Sequence, residues 1–371
     1  MKYGMSYTYL SKFFSKCVKF NMGKRYLMYI AQNYSYAILR PLQTEIVRQG
    51  GEVRWFLEGD EVDGRYLKSN EVQLESVRAV KQWKPDAVFV PGNVVPNFIP
   101  GVKVAVFHGF NAGKVNRRGR LDHFEIRDCF DLYCTQGPET TVPFLKLAEE
   151  HGYFRVVETG WPALDPLFNA DHSISNNDEI KTRPTVLMCS TFSRNLSCAP
   201  RLFDTIRRLS SDSKWSWLVQ FHPKMPLDIV NKYKSIQNEN LRFVETDDVI
   251  PLLRSADVML CDTSSILLMF LLQHKPVVTF NNQNPLPHLL NVTDEKEVEG
   301  ALDKALSLPS DLMGEIKNFS EHIHPYADGK SSARVLAATN ELVDNKKGLK
   351  RKPINLIRGL KMRKKLGYWR L

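Results

Sequence analysis

The chain has 371 residues, 43% of them hydrophobic and 25% charged, which is enough for two globular domains and excludes a fibrous, disordered or disulfide-stapled class. Its longest uncharged apolar run, Ile266 to Leu272, is too short to cross a bilayer. Lys12, Lys16 and Lys19 stand where a signal peptide would carry its apolar centre, so a cytoplasmic location is expected. The six cysteines form no CxxC pair and no metal-ligand spacing; all are read as reduced, with no metal and no cofactor expected.

The net charge of +10 is unevenly placed. Seven basic residues and no acid precede Thr44, and eleven basic residues and no acid follow from Lys346. Setting these aside leaves 33 of the 51 basic residues against 41 acidic ones, so the body is acidic and only the ends are cationic. The ends call for a polyanionic partner, while the body is not a nucleic-acid groove and no nucleic acid is expected.

Residues 1–22 interleave aromatic residues with lysines and form a basic aromatic segment. From there strands and helices alternate. Tyr26–Ala31 reads as a strand, Ser35–Arg48 as a helix stopped by Gly50 and Gly51, and Val53–Leu57 as the next strand. A helix is expected over Val72–Trp83, strands at Ala87–Val90, Lys103–Phe107 and Leu132–Thr135, a helix over Pro138–His151 and a strand at Arg155–Glu158. No GxGxxG follows the first strand, which disfavours a nicotinamide or flavin cofactor. Periodicity then fails through a polar stretch ending near Pro184 and restarts. Strands are expected at Thr185–Cys189, Trp217–Phe221, Arg242–Val244, Val258–Leu260 and Val277–Phe280, interleaved with helices, and three further helices run to Val343. The expected fold is α/β with two Rossmann-like doubly wound domains and a cleft between them: a first domain over 23–163, a linker over 164–184, a second domain over 185–344 and a basic tail over 345–371.

Ligands in such sheets bind at the carboxyl ends of the strands, and each candidate residue sits just past one. His108, in Phe107-His108-Gly109-Phe110, is placed to act as a general base. Lys114 follows in a basic, glycine-containing loop suited to phosphate. His222, in Phe221-His222-Pro223-Lys224, would stabilise charge on a phosphoryl group. Asp262, Thr263, Ser264 and Ser265 form a polar turn before an apolar helix, a natural cradle for an anion. Ser331 or Ser332, with Arg334, opens the last long helix and would close on an anion. The tail combines Ile354, Ile357, Leu360 and Leu366 with basic residues and ends in Tyr368-Trp369, a composition that fits an interfacial segment on anionic lipid.

Taken together, FHGF, TGWPALD, FHPK, CDTSS with KPVV, and DGKSSAR, spread over Val102 to Val343, resemble the CDP-glycerol glycerophosphotransferase family of teichoic acid and capsule synthesis. The resemblance implies the GT-B fold and transfer of a polyol phosphate from a CDP-activated donor such as CDP-glycerol, with release of CMP. It implies His108 as general base on the acceptor hydroxyl, and His222, Asp262, Ser264 and Ser265 on the donor pyrophosphate. Asp328, Gly329, Ser332 and Arg334 match its DGxxSxR-like segment. Met269 stands where that family often places an acid. The implied acceptor is a polyprenyl- or lipid-linked saccharide, and the implied location is peripheral on the inner face of the plasma membrane. Two alternatives stay open: a GT-B glycosyltransferase using a nucleotide sugar, and an inactive GT-B binding protein. A 2-epimerase is disfavoured, since no acidic set matches its proton transfers.

Overall fold

The computed structural model describes residues 23–111, 119, 121–169, 183–193, 195–222, 224–246, 248–263 and 266–369. The first unit is a six-stranded parallel sheet built from β1 (Arg25–Ile30), β2 (Glu52–Leu57), β3 (Ala87–Val90), β4 (Val102–Ala105), β5 (Leu132–Thr135) and β6 (Arg155–Glu158), in the order β2-β1-β3-β4-β5-β6. Such strands are covered on both faces and therefore read as continuous apolar runs; β3, β4 and β5 are buried throughout. Helix α1 (Ser35–Arg48) buries Ile38, Leu39, Leu42 and Ile46 against the sheet, α2 is Val77–Trp83 and α3 is Pro138–His151.

The second unit repeats the plan. Its strands are β7 (Thr185–Ser190), β8 (Ser216–Phe221), β9 (Leu241–Phe243), β10 (Val258–Cys261), β11 (Val277–Phe280) and β12 (Leu290–Val292), all parallel, in the order β12-β11-β10-β7-β8-β9. Before them lies α4 (Asp165–Phe168), and between and after them lie α5 (Ala199–Ser210), α6 (Leu227–Ser235), α7 (Ile250–Ser255), α8 (Ile266–Leu271), α9 (Val298–Leu306), α10 (Ser310–Ile323), α11 (Ser331–Asp344) and α12 (Leu356–Lys365).

Several elements differ from the sequence expectation. The helix expected over Val72–Trp83 starts only at Val77, because Val72 to Leu74 lies beside β2: Trp55 N–H donates to Val72 O at 2.8 Å, and Leu74 N–H to Trp55 O at 2.8 Å. Ser76 then caps the helix through its hydroxyl, which accepts from Ala79 N–H. The apolar helix after the serine turn is a six-residue segment, ended by His274 in the left-handed region at φ 55°. Strand β12 and helix α12 are additional elements.

The chain does not finish in the second unit. Helix α10 packs on α3 and α11 packs on α1, so Val335, Leu336 and Leu342 share one core with Ile38, Leu39, Leu42 and Ile46. Tyr26 Oη donates to Asn340 Oδ1 at 2.6 Å, and Lys24 Nζ meets Asp344 at 2.8 Å. Beyond α11 the basic tail runs across the first unit. Lys352 Nζ pairs with Asp131 at 2.8 Å and Lys365 Nζ with Glu58 at 2.6 Å, and Leu366 and Tyr368 pack against the core containing Val88, Val95 and Cys129. Among the described residues no helix is long and apolar enough to cross a membrane. The five described cysteines are buried and unpaired with one another.

Candidate functional site

In the first sheet the strand order reverses between β1 and β3, and ligands of open α/β sheets sit in the crevice such a reversal opens. Three residues converge there from neighbouring strand ends. Tyr34 follows β1, Pro91 follows β3 and His108 follows β4, with the Tyr34 and His108 rings 5.8 Å apart. Phe107 adopts φ 56°, a left-handed conformation unusual for an aromatic residue, and so turns the chain sharply just before His108. That turn is held on both sides. Trp161 Nε1–H donates to Phe107 O at 3.3 Å, and buried Gln136 donates through Nε2 to Gly109 O at 2.8 Å.

The His108 side chain is exposed, and its Nδ1 lies 3.2 Å from Pro91 O. A carbonyl can only accept, so Nδ1 carries the hydrogen and Nε2 keeps its lone pair in the neutral ring. Tyr34 and His108 thus present a phenol and a basic nitrogen at the strand ends, with burial raising the Tyr34 pKa.

Two sequence motifs close this end against the carboxyl-terminal segment. Trp161 N–H donates to His324 Nε2 at 2.9 Å, Tyr326 Oη to Glu158 Oε1 at 3.1 Å, and Arg334 Nε to Thr159 O at 2.8 Å. Asp165 accepts from Ser331 N–H at 2.8 Å and Ser332 N–H at 2.7 Å, capping α11. Gly160 has φ 76°, and a Cβ there would meet Ser331 Oγ, His324 Nε2 and the Tyr326 ring, so glycine is required on both counts. The guanidinium of Arg334 is bidentate on Asp328, at 2.8 and 3.0 Å, and lies 4.0 Å over the Tyr326 ring. Arg334, expected with Ser332 to close on an anion, joins the two halves of the chain through Thr159 O, while Ser332 does so through its backbone N–H alone.

Burial, with Arg334 nearby, lowers the His324 pKa to about 4, and burial with His108 nearby lowers that of His123 to about 4. An unfolded histidine titrates near 6.5, so between these values the unfolded chain binds more protons. Stability from both groups is therefore complete above about pH 6.5 and is lost as pH falls through about 4, by on the order of 3 kcal/mol per histidine. Asp165, whose pKa burial raises, acts in the opposite direction. The expected outcome is a falling urea midpoint on acidification across this window, with a shallower slope in His324→Gln. Equal slopes in the two proteins would remove His324 from the account.

The second sheet reverses order between β7 and β10, and Asp262 bridges that point. Its side chain is fully buried. It accepts from Ser190 Oγ at 2.6 Å, Thr191 N–H at 3.1 Å and Cys198 N–H at 3.0 Å. The carboxylate thus shapes the loop after β7 from within. Thr263 Oγ1 accepts from Gln283 N–H at 3.1 Å, joining the loops after β10 and β11.

His222 is exposed past β8. Its Nδ1 lies 3.1 Å from Lys224 N–H, which can only donate, so Nδ1 accepts and the ring proton is on Nε2. Phe192 packs on its ring with centroids 4.6 Å apart, and Lys224 Nζ stands 5.7 Å over the Phe192 ring. Partial burial and Lys224 lower the His222 pKa.

Lys114, Ser264 and Ser265 lie outside the described residues, as does the expected segment 1–22. His108 and His222 stand on different units, and among the described residues no hydrogen bond or ring contact joins them. Met269 packs at the margin of the core that α8 shares with α10 and α11. Sequence reasoning missed Tyr34, Gln136, Phe192 and His324. A tyrosine or phenylalanine just past a strand was the available signal for two of them, whereas Gln136 and His324 depend on contacts remote in sequence.

Two six-stranded parallel sheets, each with one order reversal and with helices crossing back at the carboxyl end, define a protein of the GT-B fold. Among solved structures the chain is similar to the wall teichoic acid polymerase TagF, at 15% identity and TM-score 0.60, covering 87% of this chain and 90% of that one. It is likewise similar to a UDP-N-acetylglucosamine 2-epimerase, at 16% identity and TM-score 0.57 over 90% and 99% of the two chains. A third is MnaA of S. aureus in complex with UDP, at 16% identity and TM-score 0.58, again over 90% and 99%. No family model and no curated protein matches the sequence.

Proposed function

We propose that the chain transfers a polyol phosphate, glycerol phosphate in the first instance, from a CDP-activated donor to a hydroxyl of a lipid-linked or cell-surface saccharide. The observation that carries this reading is the opposite tautomers of the two histidines. His108 is anchored through Nδ1 and offers Nε2 as an acceptor; His222 receives a backbone N–H at Nδ1 and offers Nε2–H as a donor. One suits deprotonation of an acceptor hydroxyl, the other a phosphoryl oxygen. The acceptor proton would pass to His108 Nε2 as its oxygen bonds to phosphorus. The bond from phosphorus to CMP breaks, and CMP departs with the electron pair. The lowered His222 pKa favours the neutral ring, which still donates from Nε2. Structures of TagF include crystals of a variant soaked with CDPG, which supports testing that donor first.

The purified chain is expected to release CMP from CDP-glycerol when an acceptor is supplied, and to release no nucleotide from UDP-sugars. Release of UDP from a nucleotide sugar, with CDP-glycerol inert, would replace this reading with a glycosyltransferase.

A further inference from the structure

Helix α12 is turned inside out relative to the usual burial of apolar side chains. Leu356, Ile357 and Leu360 are 73%, 70% and 58% exposed, while Arg358, Gly359, Met362 and Arg363 lie on the side toward the first unit. The inner side is well fixed. Arg363 stands 4.9 Å over the Phe98 ring, Lys81 Nζ donates to Tyr368 Oη at 2.9 Å, and Asn355 caps the helix by accepting from Arg358 N–H at 2.9 Å. The outward face is therefore a held surface and not a fraying end. Positions 356, 357, 360, 361 and 364 share one side of a helix, so Lys361 and Lys364 stand beside the three apolar residues. Ile354, 55% exposed, precedes the helix, and Trp369, 62% exposed, follows it.

We propose that this face docks on an anionic lipid bilayer, with α12 lying in the plane of the interface. Charge selects the occupant. From Lys346 onward the chain has eleven basic residues and no acid, which favours an anionic surface. The same count argues against the chain's own first 22 residues as the cover, since they carry four lysines and no acid. A second copy of α12 would likewise meet like charge. A bilayer supplies both requirements at once, an apolar layer for Leu356, Ile357 and Leu360 and a headgroup zone for Lys361, Lys364 and Trp369. Arg363, Lys365 and Tyr368 remain on the protein side, which fixes the orientation of the first unit above the surface. The proposal is independent of the reaction assigned above, because it concerns association with lipid alone.

The full chain is tested by sedimentation with vesicles of phosphatidylcholine alone and of equimolar phosphatidylcholine and phosphatidylglycerol. The expected result is binding to the mixed vesicles only. The triple variant Leu356→Ser, Ile357→Ser, Leu360→Ser should bind them about tenfold or more weakly, and should fold normally because the three side chains are exposed. Lys361→Glu with Lys364→Glu should lose about fivefold or more per site, in a salt-dependent manner. No binding by the parent chain would overturn the proposal. So would triple-variant binding equal to the parent's, the mark of a polyanion patch such as a nucleic-acid site. A parent dimer that becomes monomeric in the triple variant, without vesicle binding, would assign the face to a second copy instead.

Discussion

Replacing His108 by alanine should reduce the rate of CMP release from the CDP-activated donor by about a hundred- to ten-thousand-fold, the range typical of a lost general base. Donor affinity and the urea midpoint should stay at their parent values. The side chain is exposed, and among the described residues its hydrogen-bond partner is Pro91 O, so its removal costs one hydrogen bond at the rim of the site. The geometry sets the reason for a loss in rate rather than binding. Phe107 in its left-handed turn, gripped by Trp161 at its own carbonyl while Gln136 holds Gly109 O two residues on, presents the imidazole in one orientation with Nε2 outward. A substrate hydroxyl meeting that nitrogen needs no rotation of the ring, which is the preorganisation a base requires. Near-parent turnover in His108→Ala, with the nucleotide still bound, would move the base to another residue, Tyr34 first among them.

Asp262→Ala should cost about 3 kcal/mol or more in stability, measured as a shift in urea midpoint at constant slope. The carboxylate is fully buried, and removing it strands Thr191 N–H and Cys198 N–H at the carboxyl end of β7 and leaves Ser190 Oγ to Ser197 Oγ and Thr191 O alone. Hydrogen bonds to a charged acceptor are each worth about 1.5–3 kcal/mol, and their loss leaves donors without partners. Asp262→Asn should lose less, since one oxygen remains while the amide faces a donor. Weaker donor binding would follow as a consequence of the collapsed loop. A variant of parent stability that nonetheless failed to bind nucleotide would make Asp262 a direct ligand contact.

The strand positions were readable because a two-sided parallel sheet writes itself as uninterrupted apolar runs, as in AVFV at β3 and VMLC at β10. The histidines were readable as strand-end residues, but their tautomers were not, since those depend on Pro91 O and Lys224 N–H. Asp262, Ser332 and Arg334 were legible as polar residues at helix starts. Whether such groups face a ligand or the protein is decided by partners far along the chain: Ser190 for Asp262, Asp165 for Ser332, and Thr159 and Asp328 for Arg334. The tail showed its composition without its order. Leu366 and Tyr368 turn inward while Leu356, Ile357 and Leu360 turn outward, because the protein offers aromatic Phe98 to the former.

The packing of α11 on α1 carries a consequence for how the molecule comes into being. The apolar face of α1 is completed by Val335, Leu336 and Leu342, and β1 is tied down through Tyr26 to Asn340, some three hundred residues later in the chain. Synthesis delivers those residues long after β1 and α1. The amino-terminal half therefore waits on the ribosome with an open hydrophobic flank until the carboxyl-terminal helices emerge, and its final closure is a long-range step of high contact order. Helices made some three hundred residues later act as the fastener of the first sheet.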